Sequence, residues 1–373
     1  MRTYKFRIYP NKEQEEKFIF TLDSCRELYN VALQQRRDVY LSTKKTISCY
    51  FQQKELPLLR EQFPEYKSIH SHVLRNVLKR VDSAFMGFFR RVKIKGEKAG
   101  YPRFKSKNGY DSFCYPQGGF KLSGIKIKLF KIGYIKINLH RDIPENSQIK
   151  MCTIKREGAH WYCIFVIDVQ ISNPEKKQIN KSTGIDLGLT DFMVLSNGTK
   201  IKNPKYFRQS EEKLKAIQSK YSKGKSKKIR KQLTGLHRKI VNQRKDFQHK
   251  LSRQLVNDYD LISYEDLKIK HMIEDNKYHL QKHITDASWG RFIHMLKYKA
   301  EEAGVWCVGV DPRGTTQKCS HCGSDVPKKL HVRSHKCACG FEATRDHNAA
   351  LNIHKLGTNL VNQAMSEISE ATL

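Results

Sequence analysis

Nowhere does this 373-residue chain approach the roughly 20 consecutive apolar residues that a membrane-spanning helix needs. Its opening, MRTYKFRIYPNKEQ, lacks the apolar centre of a secretory signal. Acidic residues are scarce: 37 Asp and Glu stand against 70 Lys and Arg, leaving a net charge of +33. No internal repeat is visible. A chain of this composition is expected to be globular and cytosolic, without a membrane role. An excess of positive charge on this scale implies a polyanionic partner.

The charge is concentrated. From Lys202 to Arg253 there are 18 Lys and Arg against three acids, Glu211, Glu212 and Asp246. An apolar seam of Ile229, Leu233, Leu236 and Ile240, resumed by Phe247, Leu251 and Leu255, predicts a helical hairpin over 203–258. So much like charge on one hairpin fits a nucleic-acid backbone. The candidate contacts are Lys227, Lys228, Arg230, Lys231, Arg238, Lys239, Arg244 and Lys245.

Elsewhere the patterns alternate between strand and helix. Residues 3–9 read as a strand ending at Pro10, and 11–94 read as helical, with Leu74, Val77, Leu78, Val81, Phe85, Phe88 and Val92 on one face. The Gly- and Lys-rich stretch near 96–116 reads as loop. Ile125, Ile127 and Leu129 alternate with Lys126 and Lys128, as in a half-buried strand. A hairpin follows, turning near Glu157 and Gly158. The polar stretch around 173–182 is the expected boundary between two parts. Beyond it, TGIDLGLTDFMVLSNGTKI predicts a hairpin with an Asn197-Gly198 turn. LISYE then gives a short strand, 287–303 a helix capped by Asp286, and VWCVGV a buried strand. Trp161 and Trp289 are expected in the core, whereas Tyr and Phe among the basic residues of YPRFKSK suit base stacking.

Three acids stand at the ends of these elements: Asp186 in GIDLG, Glu265 in YED and Asp346 in RDHN, 79 and 81 residues apart. Each alone is weak. GIDLG also occurs in the phosphate hairpin of actin-like ATPases, Glu265 alone is a surface acid, and Asp346 alone is a helix cap. In this order, with strands and insertions between them, they form what an RNase H-like nuclease needs. No Gly-rich adenosine-binding segment follows, which argues against the ATPase. Oxygen ligands suit Mg²⁺, and two such ions, roughly 3.5–4 Å apart, clamp a phosphodiester displacement.

Six of the ten cysteines are scattered, and several lie in apolar patterns where a reduced, buried thiol is expected. Cys319, Cys322, Cys337 and Cys339 instead form two close pairs able to hold a structural Zn²⁺. The second pair has a one-residue gap where two is usual, so His321 and His335 are alternative ligands. The stretch Asp311-Pro312-Arg313 with Thr315, Thr316 and Gln317 reads equally as a turn or as a substrate contact.

The segments YKFRIYPNKEQEEKF, YPRFKSK, GIDLGLTDF, YEDLKIKHM, SWGRFIHMLKYKAEEAG, VDPRGTTQKCSHCG and CGFEATRDHNAALNI together resemble the TnpB family of insertion-sequence-encoded, RNA-guided DNA endonucleases, relatives of type V CRISPR effectors. The resemblance spans nearly the whole chain. It implies an α/β fold with β-barrel-like and helical parts: a β-rich wedge domain at 1–10 and 100–172, a helical recognition lobe at 11–99, and a linker at 173–182. It implies a RuvC-like nuclease domain at 183–313 and 341–360, carrying the basic insertion 203–258, with a zinc ribbon at 314–340 and a flexible tail at 361–373. The RuvC-like triad falls on Asp186, Glu265 and Asp346, with Mg²⁺ as cofactor, and the ribbon on the four clustered cysteines. A guide RNA from the element's own end, double-stranded target DNA and a bacterial or archaeal cytosol near the nucleoid are implied as well, with no protein partner evident for cleavage. Two alternatives are a nuclease-inactive RNA-guided repressor and a strand-joining transposase.

Overall fold

Asn11 starts the first helix with a reciprocal cap. Its side chain accepts a hydrogen bond from Gln14 N at 2.8 Å, and Gln14 Oε1 accepts one from Asn11 N at 3.1 Å. The computed structural model describes residues 1–94, 99–107, 109–145, 147–169, 174–275, 280–329 and 331–370. The chain divides into two compact units, Met1–Gln170 and Ile171–Leu373.

In the first unit, strand β1 (Arg2–Tyr9) leads into helices α1 (Lys12–Thr43), α2 (Cys49–Lys54), α3 (Leu56–Gln62) and α4 (Ser71–Lys93). Strands β2 (Ser112–Pro116), β3 (Phe120–Ser123), β4 (Lys126–Leu129), β5 (Gly133–Asn138), β6 (Ser147–Glu157) and β7 (His160–Val169) follow. The sheet order is β2-β6-β7-β1-β5-β4-β3, and every pairing is antiparallel. The expected apolar face of α4 is buried from Leu74 to Phe85, each such side chain contributing about 1.5–3 kcal/mol, and Phe88 is half-buried. Val92 lies beyond it and is exposed. Ile127 and Leu129 are fully buried, but Ile125 precedes the strand and is 63% exposed, so the alternation begins one pair later than the sequence suggests. The β6–β7 hairpin turns at Gly158, whose φ of 65° suits glycine. Trp161 and Trp289 are both buried, as expected.

The second unit begins with β8 (Ser182–Leu187), β9 (Asp191–Leu195) and β10 (Lys200–Lys202). The expected single hairpin is thus a three-stranded meander, with Asn197-Gly198 as its second turn. Helices α5 (Tyr206–Gly224) and α6 (Lys227–Asp258) form the basic hairpin. Strand β11 (Leu261–Glu265), helices α7 (Ile269–Asp275), α8 (Gln281–Ala287) and α9 (Trp289–Glu302), and strand β12 (Trp306–Val310) follow. A small ladder of β13 (Ser334–Lys336) and β14 (Glu342–Thr344) precedes the last helix, α10 (Arg345–Glu370). The central sheet runs β10-β9-β8-β11-β12, with β8, β11 and β12 parallel. Helix α10 packs across β8, β11 and β12.

Four expectations need correction. Residues 174–181 are not a free linker: Lys177 N donates to Gly304 O, Trp306 Nε1 donates to Lys177 O, and Asn180 N donates to Asp260 Oδ2. Residue 173 lies outside the described residues. Asp286 does not cap the helix after it, because it lies within α8, is 8% exposed, and ion-pairs with Arg244 at 2.8 Å. The cysteine segment extends to Thr344, through β13 and β14, rather than ending at 340. Residues 361–370, expected as a tail, continue α10; 371–373 lie outside the described residues.

Candidate active site

In the parallel register, Leu261 pairs with Ser182, and the ladder continues residue by residue to Tyr264 with Ile185. The next residues along each strand are Glu265 and Asp186. They therefore stand side by side at the carboxyl ends of neighbouring strands, roughly 4.8 Å apart in backbone, on one face of the sheet. Helix α10 covers that face. A Cβ on Gly184 would collide with the Ala350 carbonyl oxygen and come within 2.5 Å of His354 N, so glycine is what permits this close packing. His354 Nε2 lies 2.7 Å from Ser182 Oγ at the opposite end of β8. The first turn of α10, bearing Asp346, is thereby brought to the carboxyl end of β8. Thr344 Oγ1 accepts from His347 N at 3.3 Å, so capping falls to Thr344 and Asp346 is left for other work.

The electrostatics express the same convergence. Asp186 is held well above the usual carboxylate range, first by burial and then by the negative charges of Glu265 and Asp346, against opposing Arg345 and Arg333. Burial also raises Glu265, against a hydrogen bond from Thr315. Asp346 Oδ1 lies 3.3 Å from Arg345 Nε and 3.8 Å from Arg333 Nη1. Two buried acids and a third beside them, repelling one another, form a site short of positive charge. Every donor is a carboxylate oxygen, which fits a hard divalent cation.

Thr315, whose sequence context fits a turn and a contact equally, makes a specific contact here. It is 2% exposed, and its hydroxyl lies 2.5 Å from Glu265 Oε1. Its position is fixed from α10: Asn352 Nδ2 donates to Thr315 O at 2.8 Å.

The four clustered cysteines come together despite the one-residue gap. Their sulfurs all lie within 4.8 Å of one another, with Cys319 Sγ 3.8 Å from Cys339 Sγ and Cys322 Sγ 3.5 Å from Cys337 Sγ. Ligands about 2.3 Å from a tetrahedral centre stand about 3.8 Å apart, so the group can hold a metal ion such as zinc. Ser324 Oγ, 3.3 Å from Cys322 Sγ, helps lower that thiol to about 6. His321 and His335 are not in the group; His335 is buried, with Nδ1 against Lys328 Nζ.

Of the eight basic residues expected to touch nucleic acid, Lys227, Lys228, Arg230, Lys231 and Lys239 are exposed on α6. Arg238 is half-buried and Lys245 exposed. Arg244 differs: it is committed to the buried Asp286, which also accepts from Phe207 N and so fastens the start of α5. Tyr101 and Phe104 of YPRFKSK are 43% and 50% exposed.

The whole fold aligns with that of a solved mini-RNA-guided endonuclease, CRISPR-Cas_phi3, over 95% of this chain and 92% of that one, with a TM-score of 0.51 and 10% identity. A mixed α/β architecture is thus the class to which the chain conforms. In sequence, it is 31% identical over 95% of its length to a Streptomyces pristinaespiralis protein named "Putative RNA-guided DNA endonuclease", covering 89% of that relative. A protein of Escherichia coli (strain K12), "Putative RNA-guided DNA endonuclease InsQ", is 26% identical over 96% of this chain and 92% of its own. Family profiles described as "Cas12f1-like, TNB domain", "Probable transposase" and "Helix-turn-helix domain" match residues 289–353, 164–276 and 1–45. The last of these spans one strand and one long helix, β1 and α1. The chain belongs to the TnpB family.

Proposed function

We propose that this protein is an RNA-guided, Mg²⁺-dependent DNA endonuclease of a transposable element, cutting target DNA beside a short adjacent motif. What supports the proposal most is that β8 and β11 carry Asp186 and Glu265 side by side at their carboxyl ends, with the charge of Asp346 at the start of α10 acting on Asp186. In this reading Ile171–Leu373 contains a RuvC-like nuclease domain, with the α5–α6 hairpin and the cysteine ribbon as insertions. Met1–Gln170 then combines the β-rich wedge with the helical recognition lobe. Guide RNA from the element's end and double-stranded target DNA are its partners. Its relatives' names support this assignment, and so does the net charge of +33.

Asp186 and Asp346 would be the principal ligands of two Mg²⁺ ions, with Glu265 completing the set. When bound, the ions activate water and neutralise charge gathering on the phosphate oxygens. The protein's own part is to fix the carboxylates on a rigid strand pair and a helix end, held close by Gly184. Arg333 and Arg345 ion-pair with Asp346 and so offset part of the negative charge gathered there. The four cysteines hold a structural Zn²⁺, and Lys227, Lys228, Arg230 and Lys231 of α6 meet the nucleic-acid backbone. The test is cleavage of a matched plasmid by protein purified with its RNA. Asp186→Ala should abolish cutting while the same RNA copurifies, and loss of RNA in that variant would overturn the role given to Asp186. Joined DNA products formed without guide RNA would instead favour strand transfer.

A further inference from the structure

Glu265 differs from its two companions in length. An aspartate on a strand or helix is nearly placed by its backbone, whereas glutamate has an additional rotatable bond and needs an outside hold. Thr315 supplies one. The threonine is β-branched and therefore stiff at χ1. It has one hydroxyl proton and two acceptors in reach, Glu265 Oε1 at 2.5 Å and Pro312 O at 3.0 Å. The contact to Glu265 is the shorter of the two, so the proton goes to Glu265. One carboxylate oxygen is thereby engaged, and the other is left for a cation.

The hold on Thr315 itself comes from α10. Asn352 Nδ2 reaches Thr315 O at 2.8 Å and Lys318 O at 2.7 Å. One turn earlier, Asn348 Nδ2 donates to Lys318 O at 2.8 Å, and Asn348 Oδ1 accepts from Ser320 N at 2.9 Å. Asn348 is fully buried. The helix that carries Asp346 thus clamps the segment 315–320, and that segment clamps Glu265.

We propose that Thr315 is a positioning residue for Glu265, locked in place by Asn348 and Asn352, so that α10 sets the placement of two of the three acids. The inference rests on the nuclease reading for its consequence, but not for its direct readout.

The experiment compares Thr315→Val, which keeps the shape and removes the donor, with Thr315→Ser, which keeps the donor. Mg²⁺ is titrated into the full-length protein without nucleic acid, and melting temperature is followed. Cleavage is measured in parallel over the same Mg²⁺ range. Thr315→Val should need about tenfold more Mg²⁺ for half its thermal shift and half its cutting, as for other partners behind metal ligands. Thr315→Ser should recover to within about threefold of wild type. Equal Mg²⁺ midpoints for Thr315→Val and wild type would overturn the proposal. So would Thr315→Ser as impaired as Thr315→Val, since the hydroxyl would then be irrelevant. As a safeguard, Thr315→Val and Glu265→Gln are combined in a metal-free stability cycle. Coupling is expected there, and additivity would count against the contact. If wild type binds Mg²⁺ but never cuts, the nuclease reading fails while the thermal titration still judges Thr315.

Discussion

Gly184 and Ala350 lie in such close contact that no side chain fits between strand β8 and helix α10. The same approach carries Asp346 to Asp186, so packing and chemistry depend on one missing methyl group. Gly184→Ala should destabilise the protein by about 1–3 kcal/mol or more, as expected for overpacking against backbone. Where the variant still folds, cleavage should fall further than stability does. Chemical denaturation and a cleavage time course check both halves.

Asp186 predicts an opposite trade. Its carboxyl is raised in the folded state, so the folded protein holds a proton that the unfolded chain has released. Stability contributed at this site is greatest below the unfolded value near 3.8 and falls as pH rises through the folded value. Without added metal at neutral pH, Asp186→Asn should therefore melt above wild type, and the gap should close on acidification. Mg²⁺ should raise the melting temperature of wild type more than that of the variant. A variant that melts below wild type at neutral pH would contradict the mutual repulsion of the acids.

Arg244 and the exposed bases of α6 should behave differently. Removing one partner of a buried ion pair typically costs about 3–5 kcal/mol, so Arg244→Ala should lower stability and loosen the α5–α6 hairpin from α8. Joint replacement of Lys227, Lys228, Arg230 and Lys231 by alanine should leave the melting temperature within about 2 °C, since exposed charges add little. That change should weaken RNA or DNA binding and flatten its salt dependence by up to about one unit of slope per lost phosphate contact. Binding isotherms at several salt concentrations read the effect.

The cysteine cluster predicts one zinc per chain by elemental analysis. Cys322→Ser should lose it, and a strong chelator should lower the melting temperature, because a ribbon this small has too little core to stand alone. Retention of stoichiometric zinc by Cys322→Ser would show that the four thiols do not share one ion.

What the sequence revealed was what depends on local pattern. GIDLG, YED and RDHN each sit where alternation or helical spacing changes, so that pattern alone is enough to put the three acids on their elements. The α5–α6 hairpin was legible from its seam. Asp286 misled because an acid just before a helix usually caps it, and nothing local reveals a partner 42 residues earlier in Arg244. Thr315 was hidden for the same reason, its partner lying 50 residues away in the chain. The docking of 174–181 on Gly304 and Trp306 escaped notice because a polar, proline-containing stretch looks the same whether its backbone bonds to water or to protein.

In strand β1, Arg7 pairs on one side with Asn138 and on the other with Tyr162, both far along the chain. During synthesis β1 gains its first strand neighbour only when β5 is made, and its second only with β7. It therefore waits without a strand partner while α1 to α4 and β2 to β4 are made. Pairings so distant in the chain fold slowly, and unpaired strand edges invite aggregation. The basic side chains at Arg2, Lys5 and Arg7 give β1 like charge, which disfavours edge-to-edge pairing between copies.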